Sequence, residues 1–310
     1  MSKKVLVCGF FFKNNLGDNL FIEAFQELFP TLSFIFVDEI KESDLIDIDA
    51  VFIGGGSFLY NAPPIGKNLE KLLTMKLYYI GVGLETDINP IHKQLIAKAQ
   101  LLAIRTPQFK DKGLSLNKNT ITIPDIVYAL QGNVELAKKE PKSILVIPNL
   151  VVVPYHSDSN WRYVSWNYYK SEMSQFLDEK INDGWNVSFW SFCNNQFGND
   201  EWNSIEVINQ MTSRCSVKII PYQNFSFKEA AKLASSFAYC ITQRYHGGIV
   251  CDMVKTNHVN IYHHDKLKVG NALSYYGLTK AALHESFNKN ESNQVIDLNI
   301  FDKLKSMVQI

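Results

Sequence analysis

The segment Ile241-Thr242-Gln243-Arg244-Tyr245-His246-Gly247-Gly248 gathers three chemical tools in a few residues. A short β-type run ends in Arg-x-His, and two glycines and a helix-compatible stretch follow. Arginine presents a planar fork suited to carboxylate or phosphate. Histidine exchanges a proton near neutral pH. Backbone N–H groups at a helix start favour anions. Together they suit a small, multiply charged anion and acid–base chemistry on it. A lone Arg or His at a strand end is more often structural. Here a second β run, Val259–Asp265, ends next to Lys266. Adjacent parallel strands bring their carboxyl ends to one edge of a sheet, so Arg244, His246 and Lys266 are expected to converge.

The elements that must position these residues alternate between β and α. In the first half the apolar runs Lys4–Gly9, Leu32–Val37, Ala50–Ile53, Leu77–Gly81, Leu101–Arg105 and Thr120–Ile123 predict strands. Gly17–Phe29 carries apolar residues at helical spacing, and Pro90–Leu102 opens with a proline suited to a first helical turn. Gln131–Lys142 is polar and broken by Gly132 and Pro141, and reads as a linker. The pattern then restarts. Strands are predicted at Ser143–Pro148, Trp185–Phe192, Val217–Pro221, Tyr239–Gln243 and Val259–His263. Helices are predicted at Tyr168–Asn182, Glu201–Thr212, Phe227–Ser236 and Gly247–Lys255. The fold class is therefore α/β, with two Rossmann-like domains, 1–135 and 142–310, the second ending in a tail helix. A site is expected in a central cleft between them, at the carboxyl ends of the strands.

Bulk properties exclude several classes. The 310 residues are 46% hydrophobic and 20% charged, as in soluble globular chains. Thirty-one basic residues balance thirty-one acidic ones, so no global field attracts nucleic acid. The five cysteines include no Cys-x-x-Cys pair, which argues against a disulfide framework or zinc site and for a reducing, cytoplasmic setting. No apolar run is long enough for a membrane span. A lipid-linked acceptor would be met from the aqueous side, by peripheral contact at the inner membrane surface. No His-Glu-x-x-His pattern or cysteine cluster occurs, so no metal is expected.

Four segments, in order, resemble the polysaccharide pyruvyl transferase family. Gly9–Asn19 resembles its opening aromatic loop with Asn-x-Gly-Asp; Val51–Leu59 resembles its glycine triplet. Gly81-Val82-Gly83 with Arg105 resembles its middle segment. Ile241–His246 with Tyr262–Gly270 resembles its Arg-x-His helix start and downstream lysine element. The resemblance implies a GT-B-like fold. It also implies transfer of pyruvate from phosphoenolpyruvate (PEP) to a sugar, forming a cyclic ketal and releasing phosphate, with PEP as co-substrate and no other cofactor. Two departures stand out. The family arginine after the first strand of the second domain is replaced by Asn149, with Arg162 a displaced candidate. Thr106-Pro107-Gln108 follows Arg105 where the family has an acid and then a serine.

On this reading His246 is the general acid–base, and Arg244, Lys266, Gly247 and Arg162 bind the donor. His263 and His264 either assist the leaving phosphate or pack. The first domain serves the acceptor, a sugar or lipid-linked glycan, through Asn15, Gly17, Asp18, Asn19, Gly55 and Gly56. Asp18 could equally be a helix cap, and Gly54–Gly56 a tight turn. Neither a Walker loop nor a dinucleotide fingerprint is present. The alternatives are a GT-B glycosyltransferase with a nucleotide-sugar donor, and a non-catalytic glycan-binding relative. Oligomeric state is not legible.

Overall fold

Short runs of Val, Ile, Leu, Phe and Tyr build two six-stranded sheets, every pairing in them parallel, in a computed structural model of the chain. It describes residues 2–56, 59, 68–84, 87–132, 134, 136–149, 159–195, 198–262, 272–274, 278–289 and 296–310, with backbone alone for 159–165, 262 and 272–274. The chain divides into two units. Unit 1 comprises Met1–Lys13, Asp18–Gly132 and Ile296–Ile310, and unit 2 comprises Asn14–Gly17 and Asn133–Val295.

Unit 1 runs β1 (Lys4–Cys8), α1 (Leu16–Leu28, whose first two residues group with unit 2), β2 (Ser33–Val37), β3 (Ala50–Gly56), α2 (Leu69–Leu73), β4 (Leu77–Val82), α3 (Pro90–Lys98), β5 (Leu101–Ile104), α4 (Lys110–Leu116) and β6 (Thr120–Thr122). Strand order is β2-β1-β3-β4-β5-β6. Strands β3, β4 and β5 are buried along their whole length. That explains their unbroken apolar runs, since a parallel sheet is covered on both faces. On one face Phe25 of α1 packs on Phe34, Phe36 and Phe52, with ring centroids 6.0–6.3 Å apart. On the other, Leu6, Val51, Tyr79 and Leu102 meet Leu95 and Ile96 of α3.

Unit 2 runs β7 (Glu140–Ile147), α5 (Ser159–Asn182), β8 (Asn186–Trp190), β9 (Asn194–Asn195), β10 (Gly198–Asn199), α6 (Asp200–Ile208), β11 (Val217–Ile220), α7 (Phe227–Ser235), β12 (Phe237–Thr242), α8 (Tyr245–Met253), β13 (Asn257–Tyr262), β14 (Ala272–Ser274) and α9 (Lys280–Lys289). Its sheet order is β11-β8-β7-β12-β13-β14, with β9 and β10 forming a separate antiparallel hairpin. The core joins Ile144, Val146, Phe189 and Ile241 of the sheet to Tyr169, Met173, Phe176 and Leu177 of α5.

Both sheets match the α/β expectation, and the differences in boundaries have local causes. The tail helix α10 (Ile300–Met307) groups with unit 1, not with the second half of the chain. It buries Phe301 and Leu304, and Tyr78 Oη donates to the Gln309 carbonyl at 2.7 Å. The predicted linker ends early because Glu140 N already donates to the Ser236 carbonyl at 2.7 Å, which starts β7. Helix α8 starts at Tyr245, two residues before the predicted Gly247. Among the described residues no helix is long and apolar enough to cross a membrane.

Candidate active site

The strand order of unit 2 reverses at β7, which lies between β8 and β12. Open α/β sheets bind ligands outside the carboxyl ends of their strands at such a switch point. Strand β12 ends at Thr242 and α8 begins at Tyr245, so Arg244 and His246 lie at this point. Arg244 occupies the N-cap with extended backbone (φ −90°, ψ 125°). His246 is in the first helical turn, beside the positive pole of the α8 dipole.

The turn between β12 and α8 is held by its own side chains. Thr242 Oγ1 accepts from Arg244 N at 3.1 Å and donates to the Arg244 carbonyl at 3.0 Å. Gln243 N donates to the Ile147 carbonyl, and Gln243 Oε1 accepts from Asn149 N, at 2.8 and 2.9 Å. The tips of β7 and β12 are thereby clamped together. Asn149, which stands where the resemblance expects arginine, is buried in this clamp. The two glycines after His246 serve close packing. A Cβ on Gly247 would lie 2.5 Å from Thr242 Oγ1, and one on Gly248 would lie 2.1 Å from Asn260 Oδ1.

Arg244 is paired with a residue that the sequence reading missed. Its Nε and Nη2 donate to Asp200 Oδ2 and Oδ1, at 3.0 and 2.5 Å. Asp200 Oδ2 also accepts from the backbone N–H of Phe192 and of Cys193, both at 3.0 Å. The Asp200 side chain has no exposed surface and that of Arg244 only 14%. Burial pushes the Asp200 carboxyl above its ordinary range, against the opposing pull of Arg244 and the two backbone donors. The guanidinium is fixed in orientation by this two-pronged contact through Nε and Nη2. In sequence, Asp200 looks like an ordinary acidic residue at a helix start; the local signal gives no hint of an arginine 44 positions on.

The Asn14–Gly17 loop completes the cluster, and it groups with unit 2 and not with the first domain as expected. Backbone pairing is the reason. Leu16 N donates to the Phe192 carbonyl at 2.8 Å, and Asn194 N donates to the Asn14 carbonyl at 2.9 Å. Asn14 adopts a left-handed conformation (φ +48°) that asparagine tolerates better than most residues. Asn15 Oδ1 accepts from Gly17 N at 3.2 Å. Gly17 is helical, and its lack of a side chain makes room: a Cβ there would stand 2.3 Å from His246 Nδ1. The His246 ring also meets Tyr245 edge-on, with centroids 5.1 Å apart. Unit 2 thus brings together Asn15, Gly17, Asp200, Arg244, His246 and Gly247.

Most of the other predicted residues belong to unit 1. Asp18 and Asn19 continue α1 within unit 1, Asp18 in its first turn. Gly55 and Gly56 fall inside the end of β3, with φ of +78° and +115° that only glycine adopts readily. A Cβ on Gly55 would lie 2.7 Å from the Phe21 ring, and one on Gly54 would lie 2.1 Å from the Ile80 carbonyl oxygen. Close packing thus explains Gly54 and Gly55. Arg105 forms a buried 2.5 Å ion pair with Asp125, whose other oxygen caps Val127 N at 3.1 Å. Arg162 lies on α5. Lys266, His263 and His264 lie outside the described residues.

The family profile described as polysaccharide pyruvyl transferase matches residues 15–265, most of the chain. The chain belongs to the polysaccharide pyruvyl transferase family. The match takes in Asn15–Gly17, the glycine triplet and the Arg244–His246 turn. No curated protein sequence matches. Among solved structures, Staphylococcus aureus MnaA with UDP aligns with a TM-score of 0.63 at 11% identity, over 98% of this chain and 95% of that one. UDP-N-acetylglucosamine 2-epimerase from Rickettsia bellii gives 0.62 at 11% identity, over 99% and 96%. The Methanocaldococcus jannaschii UDP-GlcNAc 2-epimerase in complex with UDP-GlcNAc and UDP gives 0.57 at 10%, over 99% of both. At such identities these likenesses speak for the fold alone, which is GT-B-like.

Proposed function

We propose that this pyruvyl transferase family member moves pyruvate from PEP to a sugar of a cell-surface polysaccharide precursor, forming a cyclic ketal and releasing phosphate. The observation that carries the reading is the placement of His246. An imidazole at a switch point, on a helix start and two residues from an oriented guanidinium, is a proton donor and acceptor beside an anion-binding group. The reaction needs both.

His246 protonates the methylene carbon of PEP, leaving positive charge on the adjacent carbon and its oxygen. A sugar hydroxyl adds to that carbon and gives up its proton to the imidazole. The carbon–oxygen bond to phosphate then breaks, and the electron pair leaves with phosphate. The second hydroxyl closes the ketal, and its proton leaves with the phosphate. One hydroxyl proton thereby replaces the proton spent on the methyl group, and the other departs with the product. Arg244 orients the donor, with Gly247 N–H and Lys266 adding donor contacts and Arg162 a further cation. Asn15 and Gly17 contact the acceptor sugar, and Asp18 and Asn19, the next residues of α1, extend that contact. The reaction calls for no metal or other cofactor. The setting is cytoplasmic, and a lipid-linked acceptor would bring the protein to the inner face of the membrane.

Thermal unfolding with ligands tests this reading. A ligand that binds only the folded state stabilises it by about 2.7 kcal/mol at 100 times its dissociation constant. PEP should raise the melting temperature without metal, and nucleotide-diphosphate sugars should raise it less. A strong response to a nucleotide sugar with none to PEP would favour a glycosyltransferase.

A further inference from the structure

Asp200 makes four hydrogen bonds, two to Arg244 and two to the backbone at Phe192 and Cys193. Its carboxylate therefore sits between the guanidinium and the strand segment that pins the Asn14–Gly17 loop. We propose that Asp200 is a positioning residue for the donor: it fixes the plane of the Arg244 guanidinium and registers it against the turn that carries His246. This role rests on the pyruvyl reading above and extends it to a residue outside the Arg-x-His motif.

Two features favour positioning over a purely structural tie. The contact is bidentate through Nε and Nη2, the geometry that sets orientation as well as distance. The guanidinium is also confined from the side, since a Cβ on Gly198 would lie 3.0 Å from Arg244 Nη2. A glycine at that point of the hairpin leaves the paired guanidinium its space. A buried carboxylate that only anchored Phe192 and Cys193 would need neither feature.

The test is a double-substitution cycle read by PEP-dependent phosphate release. Asp200→Asn should raise the Michaelis constant for PEP by about ten- to hundredfold, the worth of a hydrogen bond to a charged group, with turnover changed less. Arg244→Lys should do the same, and the double variant should be no worse than Arg244→Lys alone. Gly198→Ala leaves Asp200 intact and crowds the guanidinium. It should raise the PEP constant in the wild-type background but not in Arg244→Lys, which keeps the inference testable if Asp200→Asn does not fold. The Arg244 Nε–H proton, assigned by its loss in Arg244→Lys, should exchange slowly with solvent. Additive effects of Asp200→Asn and Arg244→Lys, a Gly198→Ala effect that persists without Arg244, or fast Nε–H exchange would each overturn the role. Wild-type protein that releases no phosphate from PEP would overturn the pyruvyl reading itself. That result is distinct from a wild type that turns over while the substitutions simply add.

Discussion

The imidazole of His246 lies against the backbone of Gly17, so closely that a methyl group there would stand 2.3 Å from Nδ1. Gly17 lies in the first turn of α1 and His246 in the first turn of α8, and both residues belong to unit 2. Gly17 is therefore required for the space it leaves and not for backbone freedom.

That contact gives a prediction in which stability and activity part. Helix propensity alone favours alanine over glycine by about 0.5–1 kcal/mol in a helix interior. In Gly17→Ala the ring can swing aside, so the melting temperature should change little. Turnover should still fall by roughly tenfold or more, because a catalytic group displaced by even 1 Å loses much of its advantage. Adding His246→Ala should then cost less than it does in the wild-type background. Unchanged turnover in Gly17→Ala would show that the ring position is not critical.

Asp18 tests the acceptor side. It lies in the first turn of α1, partly exposed. Asp18→Asn should raise the Michaelis constant for acceptor more than that for PEP. Steady-state kinetics with each substrate varied in turn decides it; the reverse pattern moves Asp18 to the donor.

The buried pair Arg105–Asp125 is expected to hold unit 1 together without touching catalysis. Their side chains are 4% and 0% exposed. Removing one partner of a buried ion pair costs about 3–5 kcal/mol. Asp125→Ala should lower the unfolding free energy from denaturant titration by that order while the PEP constant of the remaining folded protein stays unchanged. A silent substitution would mean that water or a neighbour compensates Arg105.

Stability should depend on pH through His92. Burial lowers its imidazole from 6.5 to about 4, and Tyr79 Oη lies 2.9 Å from Nδ1. The unfolded chain binds a proton below 6.5, whereas the folded chain resists it down to about 4. The contribution is therefore complete above pH 6.5 and is lost as pH falls through that window. Proton linkage across a window of this width amounts to roughly 3 kcal/mol. Urea unfolding at pH 7 and pH 4.5 should show the drop, and His92→Gln should flatten it.

The fold was legible because buried parallel strands leave unbroken apolar runs, as in Val5–Val7, Ile144–Ile147 and Tyr239–Ile241. The Arg244–His246 turn was legible for the same reason: a buried strand that stops at charged residues points to a sheet edge. What stayed hidden depends on contacts distant in sequence. The pairing of Asn14–Leu16 with Phe192–Asn194 is made by backbone atoms, which leave no side-chain signature. Asp200 sits in a helix-start pattern that usually marks exposed acids, and only the fold shows its side chain to be buried. Gly17, Gly54, Gly55, Gly247 and Gly248 were visible as glycines, but the neighbours that exclude a Cβ were not. The docking of α10 on unit 1 follows from Phe301 and Leu304, whose spacing shows an apolar face without naming its partner.

The central claim is that His246 performs the chemistry of pyruvyl transfer. The direct measurement is PEP- and acceptor-dependent phosphate release by wild-type protein and by His246→Ala, with the sugar product weighed by mass spectrometry. Wild type should release one phosphate for each acceptor that gains a pyruvate ketal. His246→Ala should lower turnover by about a hundredfold or more, the usual scale for loss of a general acid–base, with PEP affinity changed far less. Near-normal turnover in His246→Ala would contradict the account.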